Sequence, residues 1–256
     1  MRIQNIDNKN LTFGYWVRRV DKVNKTGEKI LSHCNTTCFY RIDFGWEKAI
    51  KFLVDKYKNI PKVNVYNYGC SNGAEAYSFL MSIDSNFDKS VLKKFSPVIA
   101  KDFDSFAIDT AKKGLLAANA KELYDINKYT KNNLDKYLEV YRVENINNDV
   151  ILSPKEFLKE NVIFEQADIL KDYKNIEPNN SIIFARNFWV YLSDEERSLL
   201  AKKLYNHLDK NCALILGSHD NHQNYQNTPK SPIVMLKKEG FKILDPLELD
   251  SYIFIK

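Results

Sequence analysis

From about residue 60 to its end the chain alternates short apolar runs with segments of helical spacing. "VNVYNY" (63–68) alternates as a strand, and "GAEAYSFLMSI" (73–83) reads as a helix. "SPVIAKDFD" (96–104) is an apolar strand ending in acids, followed by the helical "SFAIDTAKKG" (105–114). "NVIFEQADI", "SIIFA", "CALILGS" and "YIFIK" are further strands, with helical "SDEERSLLAKKLYNHL" and "SPIVMLKKEG" between the later ones. A strand buried on both faces needs a cover on each, and an amphipathic helix needs an apolar surface to lie on. The expected fold is α/β: an open, mostly parallel sheet with helices on both faces. In such sheets ligands bind outside the carboxyl ends of the strands.

Local signals sharpen the boundaries. Trp46, Ala49, Ile50, Leu53, Val54 and Tyr57 recur at helical spacing, and Pro61 lies just beyond. Asp104 and Gly114 stand at N-cap and C-cap positions, and Ser193 with Glu196 has capping-box spacing. "NKYTKNNLDKYL" (127–138) is read as another helix and "EVYRVENINNDVIL" (139–152) as a hairpin around an Asn-rich turn. Residues 1–44 mix polar runs with aromatics and read as a short cap on a domain spanning 45–256, with a small β-subdomain at 137–160.

Composition closes off several classes. No apolar run approaches the roughly 20 residues of a membrane helix, and the N-terminus lacks a signal-peptide core, so a cytoplasmic protein without membrane insertion is expected. The four scattered cysteines read as reduced thiols. His33, Cys34 and Cys38 lie together, but their spacing fits no common finger and no second ligand pair follows, so no metal is expected. The net charge of +5 comes from dispersed lysines, which argues against nucleic acid and suits an acidic partner.

"YNYGCSNGAEAYSFL" (66–80) joins the first strand to its helix through a glycine-bearing loop. Gly69 and Gly73 allow tight turns and close approach of a ligand. A phosphate loop would end G-K-[ST], yet Ala74 and Glu75 occupy those places and no basic residue follows. An acid there suits a ligand with a cationic end. Asp102 ends the next strand, where an acid can accept from both hydroxyls of a ribose. NAD and S-adenosylmethionine (SAM) both have that ribose; the missing G-x-G-x-x-G counts against NAD.

Six segments in order are more specific: "CNTTCFYR" (34–41), "GCSNGAEAYSFLM", "VIAKDFDSFAIDTAKKG", "NVIFEQADIL", "FARNFWVYLSDEERSLLAKKLYNHL" and "LILGSHDN". Together, over about residues 34–221, they resemble the CheR-type chemotaxis receptor methyltransferases. That family esterifies protein glutamate side chains with SAM and reads approximately T-N-E-T-x-F-F-R, C-S-T-G-E-E-P-Y-S, A-T-D-I-D, V-x-F-x-x-x-N-L-L, C-R-N-V-x-I-Y-F and G-H-S-E-N in these places. The resemblance implies a Rossmann-like class I methyltransferase fold. Its parts would be a mostly parallel seven-stranded sheet with helices on both faces, a small β-hairpin subdomain and a truncated N-terminal cap.

Carried over by position, Asn35, Thr37 and Arg41 would close over the cofactor. Gly69 and Glu75 would line the glycine loop, and Asp102 would hold the ribose. Asp168 and Ile169 would lie near the adenine, Arg186 and Asn187 near the methionine part, and Tyr191 at the methyl-transfer site. Arg41 or Arg186 would hold the acceptor carboxylate, with Phe39, Tyr40 and Tyr191 lining a low-polarity pocket. Read alone, Arg41 could equally be a surface ion pair, Asp104 only a cap and Tyr191 a core aromatic.

The departures bear on the acceptor. Ala74 and Ala76 replace the family's first acid and its proline, and Thr36 replaces an acid. Only 33 residues precede Cys34, where the family has a helical domain of several tens of residues. The leading expectation is methyl-ester formation on a protein glutamate, such as one in a receptor's cytoplasmic segment, with S-adenosylhomocysteine as product. A small-molecule or other acceptor, or a non-catalytic SAM-binding regulator, stands beside it. "ARNFWVYL" lacks the Asn/Asp-Pro-Pro-Tyr/Phe segment expected of a nucleic-acid amine methylase.

Overall fold

A computed structural model describes residues 3–5, 18–23, 29–35, 37–142, 150–221, 228–244 and 252–256. Three strands come first: β1 (Ile3–Asn5), β2 (Arg18–Val23) and β3 (Lys29–Asn35), the last two paired antiparallel. A 3-10 turn at Ile42–Phe44 leads into α1 (Trp46–Lys56). Trp46, Ala49, Ile50 and Leu53 form the buried face of α1, the spacing read from the sequence.

The chain then winds through β4 (Asn64–Tyr68), α2 (Ala74–Asn86), α3 (Lys89–Phe95), β5 (Val98–Asp102) and α4 (Ser105–Lys113). Asp104 caps α4 by accepting from Phe106 N, and Gly114 closes it in the left-handed conformation. Next come β6 (Leu116–Ala118), α5 (Ala120–Tyr129), α6 (Leu134–Tyr137), β7 (Leu138–Arg142), β8 (Val150–Pro154) and α7 (Glu156–Lys159). The second half runs β9 (Val162–Gln166), α8 (Ile169–Asp172), β10 (Ser181–Phe184), α9 (Asp194–His207), β11 (Ala213–Leu216), α10 (Pro232–Glu239), β12 (Lys242–Ile243) and β13 (Tyr252–Ile255).

The main sheet has seven strands in the order β12-β13-β11-β10-β4-β5-β9. All neighbours run parallel except at β13, which is antiparallel to both β11 and β12. The expected α/β class and seven-stranded Rossmann-like sheet are thus present. The chain leaves β4 toward β5 and β9, then returns to β10 on the other side. That reversal places a crevice at the carboxyl ends of β4 and β10. A smaller sheet, β1-β7-β8-β6, contains the expected hairpin as β7 and β8. The turn of that hairpin lies outside the described residues.

Alternate residues of each central strand feed opposite cores. Ile182 and Phe184 of β10 join the layer containing Leu53 of α1 and Phe79 of α2. Ile183 between them joins Leu200 and Leu204 of α9 and Leu236 of α10 on the far face. The sheet is thereby sealed on both sides.

Residues 127–138 do not form one helix. α5 ends at Tyr129, and Lys131 and Asn132 turn through the left-handed region at φ 54° and 61° before the short α6. A full helix over 120–129 precedes this turn, started by an Asn119–Glu122 capping box. The helix at 89–95 and the short β6 were also not foreseen. They carry three apolar residues each, too few for a periodic signal.

Phe184 is 1% exposed and meets Phe44 and Phe79 edge-on at centroid distances of 5.5 and 5.3 Å. Phe184→Ala is expected to cost about 3–5 kcal/mol of stability, read as a lower urea midpoint at an unchanged slope.

Candidate active site

The loop after β4 bends sharply. Gly69, Ser71 and Gly73 all have positive φ, at 70°, 51° and 89°. A Cβ on Gly73 would lie 2.6 Å from Phe164 Cζ, so only glycine fits that turn. The loop is tied to the end of β5 by Asp102, whose Oδ2 accepts from Ser71 N at 2.8 Å. Its Oδ1 accepts from Asp104 N at 2.9 Å. The Phe103 N–H reaches the same carboxylate, so of its about four acceptor sites one remains for a hydroxyl. Burial pushes the Asp102 carboxyl above its ordinary range, against the pull of these N–H groups.

Beside this loop lies a buried charge cluster. Arg186, just past β10, donates from Nη1 to Glu75 Oε2 and from Nη2 to Asp43 Oδ1, the latter at 2.6 Å. Its guanidinium sits 4.8 Å over the Phe44 ring and 6.0 Å from that of Trp46. Glu75 Oε1 also accepts from Asn67 Nδ2 at 2.8 Å. Asp43 Oδ2 accepts from Asn187 Nδ2 at 3.2 Å and from the Ser218 hydroxyl at 3.0 Å. Burial would raise Asp43, but Arg186, Arg41 and these hydrogen bonds overcome it and hold the carboxyl below its usual range. Glu75 goes the other way: burial raises it in spite of Arg186.

Asn187 adopts the left-handed conformation at φ 63° and fills the space beside Gly217. A Cβ on Gly217 would fall 2.1 Å from Asn187 Oδ1. Asp220 is fully buried behind this turn and accepts from the backbone of Asn187, Trp189 and Gly217.

The structure gathers Glu75, Arg186, Asn187 and Arg41 into one cluster, with Asp102 one loop away. Arg41 Nε lies 3.5 Å from Asp43, and its Nη2 lies 3.4 and 3.5 Å from the two ring nitrogens of His219. Tyr191 is half-buried at the end of a 3-10 turn, Trp189–Tyr191, which packs against β3. Asn35 ends β3, and Thr37 is half-buried two residues on. Asp168 caps α8 through Leu170 N at 3.0 Å, and Ile169 beside it is buried. Lys101 and Tyr68 pin α8 to the sheet by donating to Asp172 at 2.8 and 2.5 Å.

Two expectations need correction. Phe39 and Tyr40 do not line an open pocket, since they are 1% and 0% exposed. Tyr40 stacks on Tyr129 at 4.7 Å and meets Trp46 edge-on at 5.3 Å, so both rings anchor the loop that carries Arg41. Arg186 is closed off by its two carboxylates rather than presented to an acceptor. Asp43, Asp220 and Asn67 went unread in the sequence. Asp43 stands two residues after Arg41 within "RIDF", and its burial depends on partners more than 140 residues away. Asp220 lies within the "GSHDN" segment, whose order of residues gave it no role.

The profile of the family described as CheR methyltransferase, SAM binding domain, matches residues 35–235. The chain belongs to this family. Solved structures with a similar fold include a TehB-like SAM-dependent methyltransferase from Corynebacterium glutamicum, at 13% identity over 83% of this chain and 88% of that one, TM-score 0.42. The magnesium protoporphyrin IX methyltransferase ChlM of Synechocystis, crystallised with bound SAM, is 15% identical over 82% of this chain and 76% of that one, TM-score 0.40. The N-methyltransferase NodS of Bradyrhizobium japonicum is 11% identical over 83% and 96%, TM-score 0.43.

The cofactor of this CheR-family domain is SAM, and the residues present suit it. The glycine loop holds no cation for a phosphate, Asp102 keeps an acceptor position for a hydroxyl, and Glu75 and Asp43 would offer carboxylates to a cationic end. Among the described residues no helix is long and apolar enough to cross a membrane. Asp102→Ala is expected to weaken SAM binding by at least tenfold in a calorimetric titration, with the far-ultraviolet circular dichroism unchanged.

Proposed function

We propose that the protein transfers the methyl group of SAM to a glutamate carboxylate on an acidic protein segment, giving a methyl ester and S-adenosylhomocysteine. The division of labour between the two site arginines carries this reading. The Arg186 side chain is 1% exposed and neutralised by two carboxylates. The Arg41 side chain is 22% exposed, on the loop that borders the same cluster. Paired with Asp43 at 3.5 Å and set beside His219, Arg41 is the more exposed of the two guanidiniums and is placed to meet an incoming carboxylate through N–H bonds in addition to these contacts.

When bound, the cofactor supplies a methyl group activated by a neighbouring sulfonium. The protein's part is to place the acceptor in line and strip it of water. A glutamate side chain is ionised near pH 7, so no residue is needed to remove a proton from it. That fits a site whose titratable groups are tied up in ion pairs and backbone hydrogen bonds. Tyr191, on the turn beside β3, would set the position of the acceptor. The dispersed positive charge of the chain suits approach of an acidic segment.

Incubation of the protein with cell lysate and methyl-labelled SAM is expected to give protein-bound label that mild alkali releases. Alkali-stable label would point to a nitrogen or other acceptor instead. On the labelled acceptor, Tyr191→Phe is expected to lower turnover more than it lowers SAM affinity; equal losses would place Tyr191 in cofactor binding.

A further inference from the structure

We infer that Asp220 is a positioning residue: its carboxylate clamps the turn carrying Asn187 and Tyr191 into the form that receives SAM. The residue touches no reacting group and acts through the backbone. Its Oδ2 accepts from Asn187 N at 2.6 Å and from Gly217 N at 2.9 Å, and its Oδ1 accepts from Trp189 N at 3.0 Å. These three donors lie on the two loops that leave the carboxyl ends of β10 and β11. One fully buried carboxylate therefore fixes the spacing of both loops at the crevice.

The clamp has an evident task. Asn187 is held in the left-handed region, a conformation that costs a non-glycine residue free energy unless its surroundings impose it. The bond from its N–H to Asp220 imposes that geometry from behind, while its side chain bonds Asp43 in front. Tyr191 follows two residues after Trp189, whose N–H is the third donor, so the turn presenting Tyr191 starts from the same anchor.

Backbone N–H groups need an acceptor on both carboxyl oxygens, and protonation of Asp220 would turn one of them into a donor. Burial pushes this carboxyl up to about 7, against the three N–H groups and the charge of Arg186. The charged groups around it are Arg186, Asp43 across Asn187 and Ser218, and His219 on its own turn. α10 packs on that turn as well and begins Pro-Ile-Val-Met-Leu, without charge. The inference rests on SAM as cofactor and is independent of the acceptor.

The test combines nuclear magnetic resonance with calorimetry. In the nitrogen-15-labelled wild type, the amide signals of Asn187, Trp189 and Gly217 are expected to titrate between pH 5.5 and 8.5 with one shared midpoint near 7. The shared midpoint should vanish in Asp220→Asn and persist in His219→Gln. At pH 8, Asp220→Asn should bind SAM at least tenfold more weakly than wild type. Amides that stay flat in the wild type overturn the inference, as does a midpoint lost in His219→Gln. A folded Asp220→Asn that binds SAM within twofold of wild type overturns it too. Should that variant not fold, the wild-type amide titration and the His219→Gln control still decide. If the wild type binds no SAM, the cofactor reading fails, and the amide titration judges the clamp separately.

Discussion

The site depends on how one buried guanidinium is neutralised. Taking an arginine out of water costs several kcal/mol unless charges and hydrogen bonds replace the lost hydration. Arg186 recovers this from Asp43 and Glu75 and from the faces of Phe44 and Trp46. These partners come from the 3-10 turn before α1, the start of α1 and the first turn of α2, and they meet Arg186 just past β10. Chain segments over 100 residues apart are thus joined at the carboxyl edge of the sheet. Removing one partner would leave a buried charge uncompensated, at about 3–5 kcal/mol by the usual measure. The cluster therefore builds the crevice and sets its charge together.

Much of this architecture was legible because it rests on local periodicity. The strands at 63–68, 98–102, 181–184 and 213–216 are apolar runs between helical stripes, and they became the four central strands. Caps at Asp104, Gly114 and Ser193 involve neighbours within a few residues, so they too could be read. What escaped was of two kinds. The three-residue β6, and α3 with three apolar residues split by charged ones, carry too little pattern. Side chains such as Asp43 and Asp220 owe their importance to distant partners. An acid inside "RIDF" looks like any surface acid until the fold brings Arg186 and Asn187 to it.

The same limit explains why Phe39 and Tyr40 were misread. Aromatics close to a site arginine invite the idea of a pocket wall. Their rings instead enter the core, where Tyr40 packs between Tyr129 and Trp46. The loop is fixed from beneath by these rings and from the side by Glu122, which accepts from Phe39 N. A loop anchored this way carries Arg41 on a defined backbone, which matters more for a carboxylate clamp than an extra apolar surface would.

The acid in the glycine loop now has a physical account. Arg186 and Arg41 balance Asp43 and Glu75, so the cluster is formally neutral before any ligand enters. The two acids do not share the arginines evenly. Asp43 is held low by two arginines and several hydrogen-bond donors, so it is the firm partner of Arg186. Glu75 is held high by burial, so its ionised form is under-stabilised although Arg186 touches it. A cation brought close to Glu75 would lower its pKa and strengthen its ionised form. The amino group of the cofactor's methionine end is such a cation, whereas a phosphate would raise the cost further. A loop of this kind would select by charge as well as by shape, its glycines leaving room for the ligand and Glu75 favouring a cationic end.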